Sequence, residues 1–336
     1  MARLAADGAF EVVAQVSQPS KGVSKGALVD LNEATDAVSK TMAKLRGKTG
    51  RRHGDIYVNI SGQTVKGSKS VGMIPIALRG REIARPDMDR CIGVASTIHL
   101  PFDREIIHKI VHRFSVDDQP WIKNPLGLYA SRLSCEALII TADVNHIQSI
   151  SKCVNNAGYD VKELVYTGIA DGAGLLDAAQ KEEGVALIDI GDTLTEVSIF
   201  SDGVLGDIEI APLGSKDLKG DFRESAEFNG MVSRIASRIQ GFVRSGGTVG
   251  SVMITGGMAF ADGIIEYLES KLPYPIKMGA VKDMRGEISG IDSIRLSTAV
   301  GLAKYGYEKY EEKFRDGRTA AHRLSNMVVD IFNRYF

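Results

Sequence analysis

Cysteine and long apolar runs are the features that this sequence has least of. Its three cysteines, Cys91, Cys135 and Cys153, form no Cys-x-x-Cys pair, so the sequence predicts neither a disulfide framework nor a cysteine zinc site. A membrane-spanning helix needs about 18 consecutive apolar residues, and no run in this sequence is that long. The opening stretch MARLAADGAFEVV lacks the apolar core of a signal peptide. We therefore expect a protein of the reducing cytoplasm that is neither secreted nor membrane-spanning.

The chain also lacks an excess of charge of either sign. Its 336 residues include 41 basic and 42 acidic side chains, a formal net charge of −1. Such a balance gives no overall field that would attract nucleic acid. A basic run at residues 44–54, KLRGKTGRRHG, is typical of a solvated loop before a strand. No nucleic-acid partner is therefore expected.

Strand and helix patterns alternate along the chain. Residues 10–31 are predicted to form two strands around a turn, and the apolar spacing of residues 32–45 predicts a helix capped by Asp30 or Asn32. A block of predicted strands follows, with a helix opened by Pro86 among them. Residues 185–214 are predicted to form a β-hairpin that turns at Asp202-Gly203. The sequence therefore predicts an α/β protein with mixed sheets and an inserted α+β unit.

Five segments, in this order, resemble the bacterial cell-division protein family FtsA, whose members are actin-like membrane tethers of the division ring. The segments are PSKGVSKGALVDLNEATDAV (19–38), YVNISGQTVKGSKSVGMIPI (57–76), the stretch from WIKNPLGLYA to DGAGLL (121–176), ITGGMAFADGI (254–264) and STAVGLAKYG (297–306). The resemblance implies an actin-like (RNase H-like) two-domain α/β fold with an inserted α+β subdomain, called 1C and of the SHS2 type.

The resemblance also implies a division of the chain into domains. It assigns residues 1–54 and 141–184 to part of domain 1A, 55–140 to the inserted 1C subdomain, 185–295 to a reduced domain 2 (2A), 296–317 to a connecting helix and 318–336 to a C-terminal amphipathic helix. The family's first strand, with its phosphate loop, has no counterpart here. Residues 215–250 stand where the family places subdomain 2B, of roughly a hundred residues. We therefore expect subdomain 2B to be absent.

The stretch LIDIGDTLTEVSIF, residues 187–200, resembles the second phosphate hairpin of actin-type ATPases. Such hairpins use glycines to let backbone N–H groups approach phosphate oxygens. Asp189 and Gly191 match the family, but Asp192 and Thr193 stand in place of glycines and Leu194 in place of a threonine. A carboxylate at Asp192 that faces a phosphate about 4 Å away would repel it by up to ~4 kcal/mol, unless Mg²⁺ lay between them.

Two interpretations of this region remain open. In the first, Asp189, Gly191, Gly256 and Gly257 form a degenerate ATP site with Asp189 as a metal or water contact. In the second, Gly256-Gly257 is a close-packed turn that needs no ligand. The sequence favours the second, so ATP and Mg²⁺ are expected to bind weakly if at all, hydrolysis is not expected, and no catalytic residues are assigned.

Histidines give no sign of a metal site. The only pair at i,i+4 spacing among the six, His108 and His112, lies in a predicted strand, where these positions are too far apart for a compact zinc site. No metal ligands are therefore assigned.

The last segment has an apolar stripe. Its members, at spacings of three and four, are Leu324, Met327, Val328, Ile331, Phe332, Tyr335 and Phe336. Such a stripe packs either on the protein body or on a lipid surface. The terminal position, the preceding RDGR linker and three arginines favour an interfacial membrane helix. The resemblance to FtsA, whose members end in such a tether, implies the same.

Three functions are compatible with these patterns. The first is a non-enzymatic FtsA-like adaptor that tethers FtsZ-type filaments or other division proteins to the cytoplasmic membrane at the division site, with possible self-association. The second is an ATP-binding FtsA whose first strand was lost in gene calling. The third is a pilus-assembly scaffold like PilM, which shares the actin-type fold. The terminal helix and the VGMIPI motif favour the first.

Overall fold

The protein is described by a computed structural model that covers residues 1–4, 10–50, 54–98, 100–117, 119–281, 284–286, 288 and 292–311. Its first body is built from short strands and one long helix. These elements are β1 (Ala2–Leu4), β2 (Phe10–Val12), β3 (Val23–Ser24), β4 (Ala27–Leu28), α1 (Leu31–Thr49) and β5 (Ile56–Ile60). The Asp30 side chain caps α1 by accepting a hydrogen bond from the Glu33 amide at 2.9 Å. Of the two predicted caps, Asp30 and Asn32, the structure therefore has Asp30. The helix ends at Gly50, which has φ 62.

The inserted unit is a four-stranded antiparallel sheet covered by one helix. Its elements are β6 (Lys66–Pro75), β7 (Arg81–Glu82), α2 (Arg85–Ala95), β8 (Arg104–Val116), β9 (Gln119–Ile122), β10 (Tyr129–Ala130) and β11 (Arg132–Asp143). The strand order is β6-β11-β8-β9. Helix α2 lies so close to β6 that a Cβ on Gly72 would be 2.3 Å from the Cys91 carbonyl oxygen. Cys91 and Cys135 are both buried in this small core and are free thiols.

After the insert the chain returns to the first body. It forms α3 (Val144–Asn156), β12 (Val161–Tyr166), α4 (Thr167–Leu175) and α5 (Ala178–Glu183). Strand β12 pairs in parallel with β5. Helix α4 is rich in small residues and almost wholly buried, so it can cross other elements closely.

The last body is a five-stranded mixed sheet with helices on it. Its elements are β13 (Val185–Ile190), β14 (Thr195–Ser201), β15 (Val204–Ala211), α6 (Ala226–Arg244), β16 (Ser251–Thr255), α7 (Ile264–Glu269) and β17 (Ile276–Met278). The chain then forms β18 (Arg285–Gly286), which pairs with β2 of the first body, α8 (Asp292–Arg295) and a helix at 297–311. The strand order is β15-β14-β13-β16-β17. Apolar residues of β13, β14 and α6 form its core. The hairpin turns at Asp202-Gly203, with φ of 55 and 86, as predicted.

The segment between β15 and β16 contains no extra subdomain. Residues 212–250 are all described, and beyond helix α6 they contain only a short 3₁₀ turn at Ser215–Asp217. Residues 212–250 thus form a mainly helical connection, and the absence of subdomain 2B stays a prediction.

Several predicted elements are shorter than their patterns indicated. The strand predicted to begin at residue 10 stops at Val12, and the one that follows is reduced to Ala27–Leu28. The helix predicted for about 260–271 is divided into a 3₁₀ turn, Gly257–Phe260, and α7. Gly263, with φ 76, separates the two pieces because its left-handed backbone interrupts the helix.

Candidate functional site

The predicted phosphate hairpin is closed by its own backbone. Strand β13 ends at Ile190, and the loop to β14 is bridged by the Gly191 N–H, which donates to the Leu194 carbonyl at 2.9 Å. In phosphate-binding loops, free backbone amides point at the phosphate oxygens. Here the Gly191 amide already has a partner, so binding a phosphate at Gly191 would break a hydrogen bond of the loop.

A second set of contacts fastens the loop to the turn after β15. The Asp192 carboxylate lies 2.8 Å from the Lys216 ammonium, and the Ser215 hydroxyl donates to it at 3.3 Å. The backbone joins the same two segments, because the amides of Ser215 and Lys216 donate to the carbonyls of Gly191 and Asp192, both at 2.9 Å. The Lys216 side chain holds the pKa of Asp192 below its usual value. Asp192 is therefore ionised at neutral pH, and its charge is paired with that of Lys216.

The Gly256-Gly257 turn packs directly against this hairpin. Gly256 has φ 84, and a Cβ on it would lie 2.3 Å from the Asp189 Oδ1 and 2.5 Å from the Ile190 carbonyl oxygen. Gly257 is less confined, since the atom nearest to its added Cβ is the Asp192 Oδ1 at 3.7 Å. The structure thus brings Asp189, Gly191, Gly256 and Gly257 together. The glycine at 256 is explained by its contact with β13, with no need for a ligand.

Two buried carboxyl groups beneath the hairpin were missed by the sequence reasoning. Asp171 on α4 is 1% exposed and accepts a hydrogen bond from the Thr298 hydroxyl at 2.7 Å. Glu196 on β14 is 5% exposed, and its Oε2 accepts from the Ser61 hydroxyl at 2.8 Å, whereas its Oε1 has no hydrogen-bond partner. The one available signal was a charged residue inside the apolar runs DGAGLL and TEVSIF.

Burial determines the charge of the carboxyl groups beneath the hairpin, Asp171, Asp189 and Glu196. Burial raises the pKa of Glu196 to about 8, and the Asp189 carboxylate adds to the shift. Burial raises the pKa of Asp189 to about 6, and burial followed by repulsion from Asp189 raises that of Asp171 well above its usual value. At neutral pH Glu196 is therefore mainly protonated, so these three carboxyl groups together carry less negative charge than three ionised carboxylates would. No group of three or more potential metal ligands comes together in the described ranges.

Two helices cross beneath the site, and glycines at the crossing allow their backbones to touch. A Cβ on Gly301 would lie 1.8 Å from the Ala170 carbonyl oxygen, and one on Gly174 would lie 2.7 Å from the Ser297 carbonyl oxygen. Helix α4 and the 297–311 helix are therefore in backbone contact. Ser297 is 3.4 Å from the Thr255 hydroxyl at the end of β16, which joins the crossing to the last sheet.

Other predicted residues have structural partners or lie outside the described part. His108 Nε2 accepts from the Tyr166 amide at 3.0 Å, while the His112 Nε2 lies 3.4 Å from Asp202 Oδ2. The seven stripe residues, Leu324 to Phe336, lie outside the described residues. Among the helices that the structure does describe, none is long and apolar enough to span a membrane.

Comparison with known proteins supports the fold. Residues 62–141 match the family described as the SHS2 domain inserted in FtsA. The chain is 23% identical to the cell division protein FtsA of Pseudomonas aeruginosa and 27% identical to that of Borreliella burgdorferi, each over 91% of this chain and 86% of the relative. A solved structure, the PilM-PilN type IV pilus biogenesis complex, aligns with a TM-score of 0.60 at 13% identity, over 89% of this chain and 92% of that one. The predicted actin-like fold with an SHS2 domain is confirmed.

Proposed function

We propose that this chain, which is an FtsA-type protein with an actin-like fold, acts as a cell-division adaptor that needs no bound nucleotide. In this proposal it links FtsZ-type filaments, or other proteins of the division ring, to the inner face of the cytoplasmic membrane. Its relatedness to FtsA proteins along most of the chain supports a role connected with division. The geometry of the hairpin supports the independence from nucleotide.

The observation that carries the proposal is the closed state of the hairpin. A triphosphate would have to displace the Gly191–Leu194 hydrogen bond and approach the Asp192 charge. The Gly256-Gly257 turn would lie under a nucleoside, but Gly256 packs directly against Asp189 and Ile190 at the end of β13. Residues 212–225 run from β15 to α6 as a short connection, so no further subdomain stands there to hold a nucleoside. The framework of the fold is retained while the contacts that a nucleotide needs are used internally.

The membrane part of the proposal depends on residues 318–336. Their apolar stripe, from Leu324 to Phe336, has the period of an interfacial helix, and Arg318, Arg323 and Arg334 outnumber Asp330. Each arginine near an anionic leaflet contributes about 1 kcal/mol, so binding should weaken with salt without being lost. The proposed location is the cytoplasmic face of the membrane at the division site.

The predicted absence of subdomain 2B changes where a filament could dock. The resemblance to FtsA implies that the FtsZ tail would dock on subdomain 2B. In this chain the contact would have to use the inserted sheet, within residues 66–143, or copies of the chain associated with one another. We propose the insert, because its β6 edge has no second strand partner in the described residues and exposes Val71 and Met73.

Recruitment to vesicles tests the function as a whole. FtsZ-type filaments are mixed with anionic vesicles and the full chain, with and without Mg-ATP, and filament capture is measured by co-sedimentation. We expect capture that depends on the chain and is unchanged by Mg-ATP. Capture that appears only with Mg-ATP would contradict the adaptor as proposed. As a control for the insert, Val71→Lys should reduce capture while leaving vesicle binding by the chain itself unchanged.

A second function is favoured by one observation. The PilM-PilN complex aligns with this chain over 89% of its length, so a scaffold for pilus assembly fits the same framework. The two functions differ in the peptide that is bound. Fluorescence anisotropy with an FtsZ-type C-terminal peptide and with a PilN-type cytoplasmic peptide would separate them, and binding of the second alone would favour the scaffold. The remaining alternative, an ATP-binding FtsA, is addressed by nucleotide titration.

A further inference from the structure

One aromatic ring of α6, that of Phe242, lies at the contact between the inserted unit and the last body. It packs on two glycines of the last body, since a Cβ on Gly206 would lie 2.8 Å from its Cζ and a Cβ on Gly247 would lie 2.1 Å from its Cε1. Two side chains of the insert contact the same ring. The Lys69 ammonium of β6 lies 4.8 Å from the ring centroid, and the His112 ring of β8 meets it edge to face with 6.5 Å between centroids. Phe242 therefore joins the insert to the last body.

The imidazole of His112 is buried at this contact and only partly satisfied. Its side chain is 12% exposed, and its Nε2 lies 3.4 Å from the Asp202 Oδ2 of the β14–β15 turn. Its Nδ1 is buried and has no hydrogen-bond partner in the part of the chain that the structure describes. A neutral imidazole with its proton on Nε2 leaves Nδ1 as an unpaired acceptor. A second proton on Nδ1 would make it a buried, charged donor without a partner, which costs more.

The surroundings of His112 favour its neutral form. Burial is the largest influence and holds the pKa of His112 below its usual value of 6.5. Among the charged groups that face the ring, Asp202 of the turn and Glu136 of β11 raise this pKa, while Arg113 of β8 and Lys69 of β6 lower it. Glu136 is already paired with Arg113 at 2.6 Å. The contact between the insert and the last body is therefore built around an uncharged imidazole.

We propose that His112 is an acid-sensitive latch, in which the neutral ring holds the insert against the last body and the protonated ring loosens that contact. A cavity of about 120 Å³ adjoins the ring, with Leu138 of β11 and Phe242 of α6 in its walls. The two surfaces therefore leave a gap beside His112, which gives water room to enter when the latch loosens. Because the pKa of His112 is lower in the closed contact than in water, closure is fully favoured above pH 6.5 and weakens as the pH falls below it.

Loosening would act on the surface that we propose for filament docking. Val71 and Met73, the exposed residues of that edge, follow Lys69 on β6. A change in the position of β6 relative to α6 would therefore move the edge relative to the rest of the chain. This consequence rests on the proposed function, whereas the latch itself does not.

Distance measurements between two spin labels test the latch. One label is attached at Met73→Cys on the exposed edge of β6 and the other at Gly241→Cys on α6, where an added Cβ meets no atom within 4 Å. The native cysteines are buried, so the labels attach selectively. On lowering the pH from 7.5 to 5, we expect a longer or broader distance distribution in the protein that retains His112. His112→Phe keeps a flat ring but cannot take up a proton, so its distribution should be the same at both pH values.

A control pair within α6 separates the latch from general unfolding. Labels at Gly230→Cys and Gly241→Cys, two open positions of this helix, should keep one distance at both pH values. The latch would be overturned by a first pair that does not respond to pH, or by an equal response in His112→Phe. A change in the control pair would show that the last body itself unfolds in acid, and would overturn the latch as well. No filament takes part in these measurements, so the latch can fail while the adaptor function stands.

Discussion

Replacing Glu196 with glutamine should stabilise the protein at neutral pH. Glu196 is 5% exposed, and one of its oxygens accepts from Ser61 at 2.8 Å while the other has no partner. Glutamine has the same shape, can accept the Ser61 hydrogen bond through its carbonyl oxygen, and has no charge to bury. The variant therefore removes an ionisable group from an apolar site without creating a cavity.

The size of the effect follows from the pKa of Glu196. Its folded-state value of about 8 lies above the ordinary value of 4.5. Because the pKa is raised on folding, the group's contribution is fully present below pH 4.5 and is lost as the pH rises towards 8. At pH 7 the wild type has therefore lost about 3 kcal/mol that the glutamine variant retains. The difference should be near zero at pH 4.5 and should level off above pH 8.

Urea denaturation at a series of pH values between 4.5 and 8.5 measures this difference. We expect the free energies of unfolding of the wild type and Glu196→Gln to diverge with rising pH. The exposed Glu224→Gln is the matched control and should follow the wild type at every pH. A difference that does not vary with pH, or a glutamine variant that is less stable at pH 7, would refute the reasoning.

Two further predictions concern the glycine turn and the C-terminal segment. Gly256→Ala should lower the free energy of unfolding by about 3 kcal/mol, because it strains a backbone at φ 84 and moves a methyl group against the Asp189 carboxylate. Gly257→Ala has more room and should lower the free energy of unfolding by clearly less in the same thermal denaturation experiment. Equal losses in the two variants would contradict the packing explanation for Gly256. Ile331→Glu with Phe332→Glu should abolish vesicle sedimentation by placing charges in the apolar stripe. The control Asn333→Glu should sediment like the wild type, and equal pelleting of the double variant would return this segment to a core-packing role.

Local signals in the sequence predicted much of the fold. The spacing of apolar residues and the Asp30 cap predicted α1, because both depend on neighbours a few residues away. The Asp202-Gly203 pair predicted the hairpin turn for the same reason. The short strand β2 was overestimated, since its length is set by pairing with β1 and with distant β18, which no local pattern reveals.

The candidate site was predicted only in part. The structure places Gly256 against Asp189, which the sequence did not predict, and the role of both residues in a nucleotide site stays a prediction. The Lys216 ion pair that fastens Asp192 was not foreseen, because it joins residues of two different strand ends across a turn. The burial of Glu196 was also missed, since no local pattern reveals that the first body covers this face of the sheet.

Calorimetric titration of the full chain with Mg-ATP tests whether this actin-like protein functions without a bound nucleotide. The closed hairpin, with the Gly191 amide bonded to Leu194 and Asp192 paired with Lys216, predicts no measurable heat of binding at micromolar ATP. A dissociation constant of about 1 μM or lower corresponds to about 8 kcal/mol of binding free energy. Such a result would contradict a site in which the Gly191 amide and the Asp192 carboxylate are already paired within the protein.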